Sequence, residues 1–301
     1  MEDRIEHQDW KVWSDRLRAF FVTYLVALII GQYVYSFAAY FAHGPRASLF
    51  QILIIAFFFP VIPALVALLR QMHRPTVRTA EIQGAGVVHF HWFFCGALVF
   101  GLWAGGYFLI NHLMYGTPAH SLAMEFEDRI PFFPEFSLVY LTVYWIFLLA
   151  PFTGQTPEDS RLYIKGFLSL SAICFMCFIA FPVECPRPAF NVITVADLGL
   201  AKIHAADNPI NCFPSMHCAL GMYSALTLLR RNKKNGLLAI LLMVNVGICT
   251  LVTKQHYLAD VVAGFFLAGL VHRLTYRSKV ELQAFRLRLE EVREFIDRLT
   301  R

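Results

Sequence analysis

Apolar residues occur along most of this chain in long runs rather than in the short alternating patterns of soluble proteins. A helix that spans a bilayer needs about 20 mostly apolar residues, and runs near that length recur between charged or Gly/Pro-containing segments. Eight candidate spans follow: Phe20–Phe41, Leu49–Leu69, Val87–His112, Phe136–Phe152, Phe167–Pro182, Ser215–Leu229, Leu237–Thr253 and His256–His272. The pattern predicts an all-α integral membrane protein with about eight transmembrane helices.

The composition supports this prediction. Of the 301 residues, 57% are hydrophobic and 16% are charged, whereas soluble domains have about 45–50% apolar and about 25% charged residues. These values exclude an ordinary soluble enzyme, a disordered chain and a nucleic-acid-binding module. We therefore expect no nucleic-acid partner, although the formal net charge is +5.

The distribution of Lys and Arg predicts which side of the membrane each loop faces. With a cytoplasmic N-terminus and eight spans, 21 of the 26 Lys and Arg residues lie on the cytoplasmic side, as the positive-inside rule requires. The first 18 residues lack the apolar core of a signal peptide. Both termini are therefore expected in the cytoplasm. The two longest loops, 113–135 and 183–214, are expected on the periplasmic, exterior or lumenal side, called the outer side here.

The same pattern divides the chain into three parts. Residues 1–86 hold a cytoplasmic segment and two accessory spans, residues 87–273 hold a six-helix core, and residues 274–301 form a cytoplasmic amphipathic helix. In the last part, apolar side chains recur every three or four positions between Leu282 and Leu299. A helix lying on the inner leaflet is the preferred interpretation, and homodimerisation through this helix is the alternative.

Three polar clusters lie at predicted helix ends on the outer side. They are Arg187-Pro188, the segment 214–217 with the letters PSMH, and the segment 254–260 with the letters KQHYLAD. Residues four apart on a helix share a face, so Asp260 can accept the Nδ1 proton of His256. This arrangement would leave Nε2 of His256 as an unprotonated nucleophile or base.

The other two clusters add groups that suit an anion. Ser215 stands where a helix N-cap is expected, and the N–H groups of a first helical turn bind anions. The guanidinium of Arg187 offers a planar fork for phosphate oxygens. His217 is expected in the first helical turn, close to an anion bound there. Together the clusters could supply a nucleophile, its orienting group, a general acid and an oxyanion clamp.

In this order over residues 187–260, the clusters resemble the signature of the type 2 phosphatidic acid phosphatase (PAP2) superfamily, K-x6-RP, PSGH and SR-x5-H-x3-D. The resemblance implies a helical core that carries the site and needs neither a metal nor another cofactor. It implies that His256 is the nucleophile that forms a phosphohistidine and that Asp260 is its partner. It also implies that His217 is the general acid and that Arg187 and Ser215 bind phosphate.

Two cations of the family pattern are absent from their usual places. The Lys expected seven residues before Arg187 falls on Ala180, and the Ser-Arg pair falls on Cys249 and Thr250. If the segment is helical, Lys254 lies one turn after Thr250 on the same face. We then expect its ammonium to take the place of the absent guanidinium as a phosphate ligand.

The strings FPSMH and H-Y-x-x-D are closer to the inositolphosphorylceramide-synthase-like branch, which resembles sphingomyelin synthases in its His/His/Asp triad. The implied function is a lipid-phosphate phosphatase at the outer face of the membrane. One alternative is the transfer of a phospho-headgroup to an acceptor lipid by the same triad. A second alternative is a non-catalytic transporter or scaffold with a degenerate site. The expected partner is a lipid phosphate or phospholipid in the bilayer.

Cys185 and Cys212 both lie on the second outer loop, close in sequence to the first two clusters. In an oxidising compartment, a disulfide between them would join those clusters and stabilise the fold by about 3–4 kcal/mol. Two free thiols are the alternative, and the sequence leaves both open.

Overall fold

A computed structural model of the chain describes residues 23–36, 85–152 and 157–277, together with Phe20. These residues contain no β-strand, and their one sheet-like contact is a parallel bridge between His120 and Val183. The α-helices are α1 (Thr23–Ser36), α2 (Ala85–Met114), α3 (Ser137–Phe152), α4 (Pro157–Ala180), α5 (Val195–Ala206), α6 (Met216–Arg231), α7 (Lys233–Val252) and α8 (Leu258–Arg277), and two 3-10 turns are η1 (Glu125–Arg129) and η2 (Pro134–Phe136).

The helices agree with the predicted spans except where charged residues are helical. Helix α4 begins ten residues before the predicted start at Phe167, because Arg161 and Lys165 are exposed residues of the helix rather than its boundary. Long cationic side chains can run along an apolar surface and keep their charge in water. The predicted span Leu49–Leu69 and the predicted C-terminal amphipathic helix lie outside the described residues.

Three helices in the described part are long and apolar enough to cross a membrane: Asp159–Ala180, Lys233–Val252 and Leu258–Arg277. On α8, large apolar side chains at a spacing of four residues are 43–69% exposed: Val262, Phe266, Leu270 and Leu274. A continuous apolar stripe of this kind marks a surface that meets lipid or another protein. The fold is therefore consistent with a membrane protein, and the count of eight spans remains a prediction.

Helix α6 lies in the interior of the bundle. All its side chains from Met216 to Ala225 are buried, and it packs against α3, α4 and α7. Two of its hydroxyls donate within the helix: Ser224 to the Leu220 carbonyl at 2.8 Å and Thr227 to the Tyr223 carbonyl at 3.0 Å. A helix enclosed on all sides gives the residues of its first turn a fixed place.

The start of α6 is in direct contact with the first two turns of α8. A methyl group on Gly264 would lie 2.6 Å from the carbonyl oxygen of Ser215, so the backbones could not approach this closely with a side chain there. Beside this contact, the Ser215 N–H donates to the Asp260 carbonyl at 3.0 Å. The two predicted clusters at 214–217 and 254–260 are thereby brought together.

Helix α5 lies in the second long loop, where no helix was predicted. The Thr194 hydroxyl accepts from the Asp197 N–H at 3.2 Å, and the Asp197 carboxylate accepts from the Thr194 N–H at 2.7 Å. This Thr-x-x-Asp pair is a reciprocal capping box, a sequence signal of a helix start. A search for long apolar runs does not find it, because α5 has only 12 residues.

We predict that Gly264→Ala lowers the stability of the fold by about 1–3 kcal/mol, because the added methyl group must push α6 and α8 apart. Gly269→Ala is the matched control on the same helix, since a Cβ there meets nothing within 4 Å. The measurement is the midpoint of thermal unfolding of the full chain in detergent. Equal midpoints for the two variants would contradict the proposed contact.

Candidate active site

His217 and His256 face each other at the N-terminal ends of α6 and α8. Their ring centroids are 6.2 Å apart and the ring planes are inclined by 58°. His217 is the second residue of α6, and His256 lies in the turn that precedes Leu258, the first residue of α8. Both side chains are buried, with relative exposures of 5% and 8%.

Asp260 lies beside His256, but the two residues do not share a helix as predicted. His256 belongs to the turn before α8, and the turn brings its Nδ1 to 3.4 Å from Oδ2 of Asp260. The same Oδ2 accepts the Tyr257 N–H at 2.8 Å. Within the described structure, His256 Nδ1 makes no hydrogen bond. The pair is therefore at ion-pair distance.

Ser215 is the N-cap of α6, as predicted. Its hydroxyl oxygen accepts the Cys218 N–H at 3.4 Å, and its side chain is fully buried. The remaining N–H groups of the first turn and the positive end of the helix dipole are next to His217. The local arrangement suits an anion.

Tyrosines surround His217, and the sequence analysis missed them. The Tyr144 hydroxyl lies 2.8 Å from Nε2, and the Tyr140 hydroxyl lies 3.1 Å from each ring nitrogen. The ring of Tyr107 approaches edge-on, with centroids 6.1 Å apart. A signal was present, because Tyr140 and Tyr144 stand four apart in an otherwise apolar helix and so share a face. Their hydroxyls can donate or accept, so they can hold either tautomer of the ring.

Arg187 has much of its hydrogen-bonding capacity occupied by Asp207. Its Nη2 lies 3.1 Å from Asp207 Oδ2, and its Nη1 donates to the Asp207 carbonyl. Tyr107 donates to the other carboxylate oxygen at 3.0 Å. Burial raises the pKa of Asp207, and the charge of Arg187 opposes this rise. Arg187 is also close enough to act electrostatically on His217.

A family comparison matches the segment that holds these residues. The family model of the PAP2 superfamily matches residues 112–274. The chain belongs to the PAP2 superfamily. Members of this superfamily are generally phosphatases or phosphotransferases. No curated protein and no solved structure matches the chain. The narrower assignment to the inositolphosphorylceramide-synthase-like branch depends on the motifs alone and remains a prediction.

The structure corrects the predicted place of Lys254 in this PAP2 site. Helix α7 ends at Val252, and Lys254 has a left-handed backbone with φ of 53°. The chain turns back there, so the Gln255 N–H donates to the Thr250 carbonyl at 2.8 Å. Lys254 is therefore not one helical turn after Thr250. Its ammonium instead donates to the Glu127 carbonyl at 2.8 Å.

The residues at the positions of the two absent family cations carry no charge. Thr250 is fully buried, and its hydroxyl donates to the Gly247 carbonyl at 2.7 Å. Ala180 is the last residue of α4 and is exposed. Among the described residues, no group of three or more His, Cys, Asp or Glu is arranged to hold a metal ion.

Cys185 and Cys212 are free thiols in this structure. They belong to a small apolar cluster with Val183 and Tyr257. The Cys212 N–H donates to the Val183 carbonyl at 3.2 Å, and the Cys185 thiol donates to the Lys254 carbonyl at 3.6 Å. Burial raises the pKa of Cys185 to about 12. The loop segments next to the site are therefore joined by packing and hydrogen bonds.

His204 of α5 generates a prediction about pH. Its Nε2 lies 2.7 Å from Nε2 of Gln255, and burial together with the charge of Arg187 lowers the pKa of His204 to about 4. An unfolded chain takes up this proton near pH ~6.5. The neutral His204 side chain therefore contributes fully to stability above that pH, and this contribution is lost as the pH falls towards 4.

We therefore expect His204→Gln to make stability less sensitive to acid. The amide keeps a hydrogen bond to Gln255 but has no proton to take up. The thermal unfolding midpoint of the variant in detergent should fall less than that of the wild type between pH 6.5 and 4. Parallel midpoint curves would show that the His204 pKa is not lowered by folding.

Proposed function

We propose that this PAP2 protein is a membrane lipid-phosphate phosphatase that acts through a phosphohistidine at the outer face of the membrane. The proposal depends on one observation above all. The rings of His217 and His256 face each other with a centroid distance of 6.2 Å, and Asp260 lies 3.4 Å from Nδ1 of His256. Two histidines that face each other, one with a carboxylate partner, can provide a nucleophile and a general acid.

In the first step, Nε2 of His256 attacks phosphorus, and the bond from phosphorus to the lipid oxygen breaks. The proton on Nδ1 stays with the ring, where Asp260 orients the imidazole and stabilises its positive charge. His217 donates a proton to the departing alkoxide. A phosphoryl group on His256 and a lipid alcohol result.

In the second step, water attacks phosphorus, and the bond between phosphorus and Nε2 breaks. His217, now unprotonated, takes a proton from that water, which restores both histidines. The phosphate oxygens would be held by Arg187 and by Ser215 with the first-turn N–H groups of α6. Arg187 has a buried Nε that makes no hydrogen bond to any described residue, and a phosphate oxygen would satisfy this donor.

The surroundings of the site support a lipid as the proposed substrate. The reactive side chains lie at the ends of helices whose outward sides are apolar, as on α8. A lipid can therefore place its chains beside the bundle and its phosphate at the helix ends. A small water-soluble phosphate ester would gain nothing from this apolar surface.

The charge of the site favours a second candidate, a headgroup phosphotransferase of the inositolphosphorylceramide or sphingomyelin synthase type. Arg187 is paired with Asp207, and Ala180 and Thr250 stand where two family cations are expected. A phosphate monoester carries about −1.5 to −2 charges at pH 7, and a diester carries one. The small positive charge suits the diester. An acceptor-lipid hydroxyl would then replace water in the second step.

We expect His256→Ala to lower phosphate release from a lipid monophosphate by about 1000-fold or more, because no other group replaces the nucleophile. Asp260→Asn should lose about 100-fold or more, because its amide favours the wrong tautomer. The assay uses purified full-length protein in detergent with radiolabelled substrate. His120→Gln, an exposed histidine stacked on Phe181, is the control. Normal turnover by His256→Ala would eliminate this mechanism.

The two enzyme functions are separated by their products. Wild-type protein is given a phospholipid donor with ceramide or diacylglycerol as acceptor, and the lipids are then analysed by mass spectrometry. A new phospholipid without free phosphate indicates transfer, whereas free phosphate from a lipid monophosphate indicates hydrolysis. If neither product forms with any of these lipids, the non-catalytic alternative is favoured.

A further inference from the structure

Glu127, in the first long loop, is a carboxylate that the proposed chemistry does not use. It is 6% exposed, whereas Glu125 and Asp128 in the same 3-10 turn are exposed. A buried carboxylate is costly unless hydrogen bonds compensate the loss of water. Its partners therefore indicate what the residue does.

Both ends of the turn that carries His256 are attached to Glu127. Its Oε1 accepts the Leu258 N–H at 2.6 Å, and its carbonyl oxygen accepts the Lys254 ammonium at 2.8 Å. Its Oε2 accepts the Met124 N–H at 2.7 Å, which fixes the carboxylate within its own turn. Hydrogen bonds to a charged acceptor are stronger than neutral ones.

The contact with Leu258 also starts helix α8. Leu258 is the first residue of that helix, and the first N–H groups of a helix have no partner inside it. Glu127, more than a hundred residues earlier in the chain, therefore supplies a capping carboxylate that a neighbouring residue usually supplies. His256 lies between the two attachment points, and Asp260 lies in the first turn that the carboxylate caps.

We propose that Glu127 is a positioning residue that holds residues 254–258 so that His256 faces His217. The inference rests on the proposed function, in which His256 is the nucleophile. Glu127 itself does not contact the reacting atoms. It acts by keeping the imidazole in place, and small displacements of a reacting group lower the rate strongly.

The test compares Glu127→Gln with Glu125→Gln, the same change on an exposed neighbour. An amide cannot accept from both the Leu258 and Met124 N–H groups, so we expect kcat to fall about 10-fold to 100-fold. KM should stay within about twofold, because the Lys254 contact uses the backbone carbonyl and survives the substitution. Glu127→Asp keeps the charge and should recover part of kcat. Equal kcat for the Gln variants, or a change in KM alone, would overturn the proposal.

A second measurement does not require turnover. In full-length protein labelled with 13C-histidine, the NMR signal absent from His256→Gln identifies His256. We expect Glu127→Gln to shift this signal and Glu125→Gln to leave it unchanged. If wild-type protein shows no turnover while the signal shifts, the proposed function fails and the positioning role stands. An unshifted signal in folded Glu127→Gln overturns the positioning role.

Discussion

The close contact between the start of α6 and the first two turns of α8 is the constraint on which the site depends. Gly264 permits the approach because any side chain there would meet the Ser215 carbonyl. The hydrogen bond from the Ser215 N–H to the Asp260 carbonyl then fixes the register of the two helices. His217 and His256 are each a few residues from this contact. The contact therefore fixes the separation between the two imidazole rings.

Buried charge is the second constraint, because an apolar bundle has little water to stabilise ions. The carboxylates near the site have specific donors: one backbone N–H for Asp260, two for Glu127, and a guanidinium and a phenol for the partly buried Asp207. The pairing of Arg187 with Asp207 leaves the site with little net positive charge. The same pairing that makes burial tolerable therefore also sets the charge of the site.

The apolar runs and the motifs predicted much of this arrangement. The helices of residues 85–277 were found except for the short α5, and Ser215 is the predicted helix cap. The errors concern helix ends. Arg161 was expected to mark a boundary because of its charge and proved to be inside α4. The helical spacing from Thr250 was extended to Lys254, which lies beyond the end of α7, where backbone hydrogen bonds decide the boundary.

The sequence by itself determined that this is an apolar helical chain with a His/His/Asp motif of the PAP2 type, because hydropathy and short spacings are local properties. Only the tertiary structure showed that Tyr140 and Tyr144 hold His217, that Asp207 pairs with Arg187, and that Glu127 caps α8. These contacts join residues 20 to 131 positions apart. No local pattern encodes them, since they arise from the packing of helices and loops that are distant in the chain.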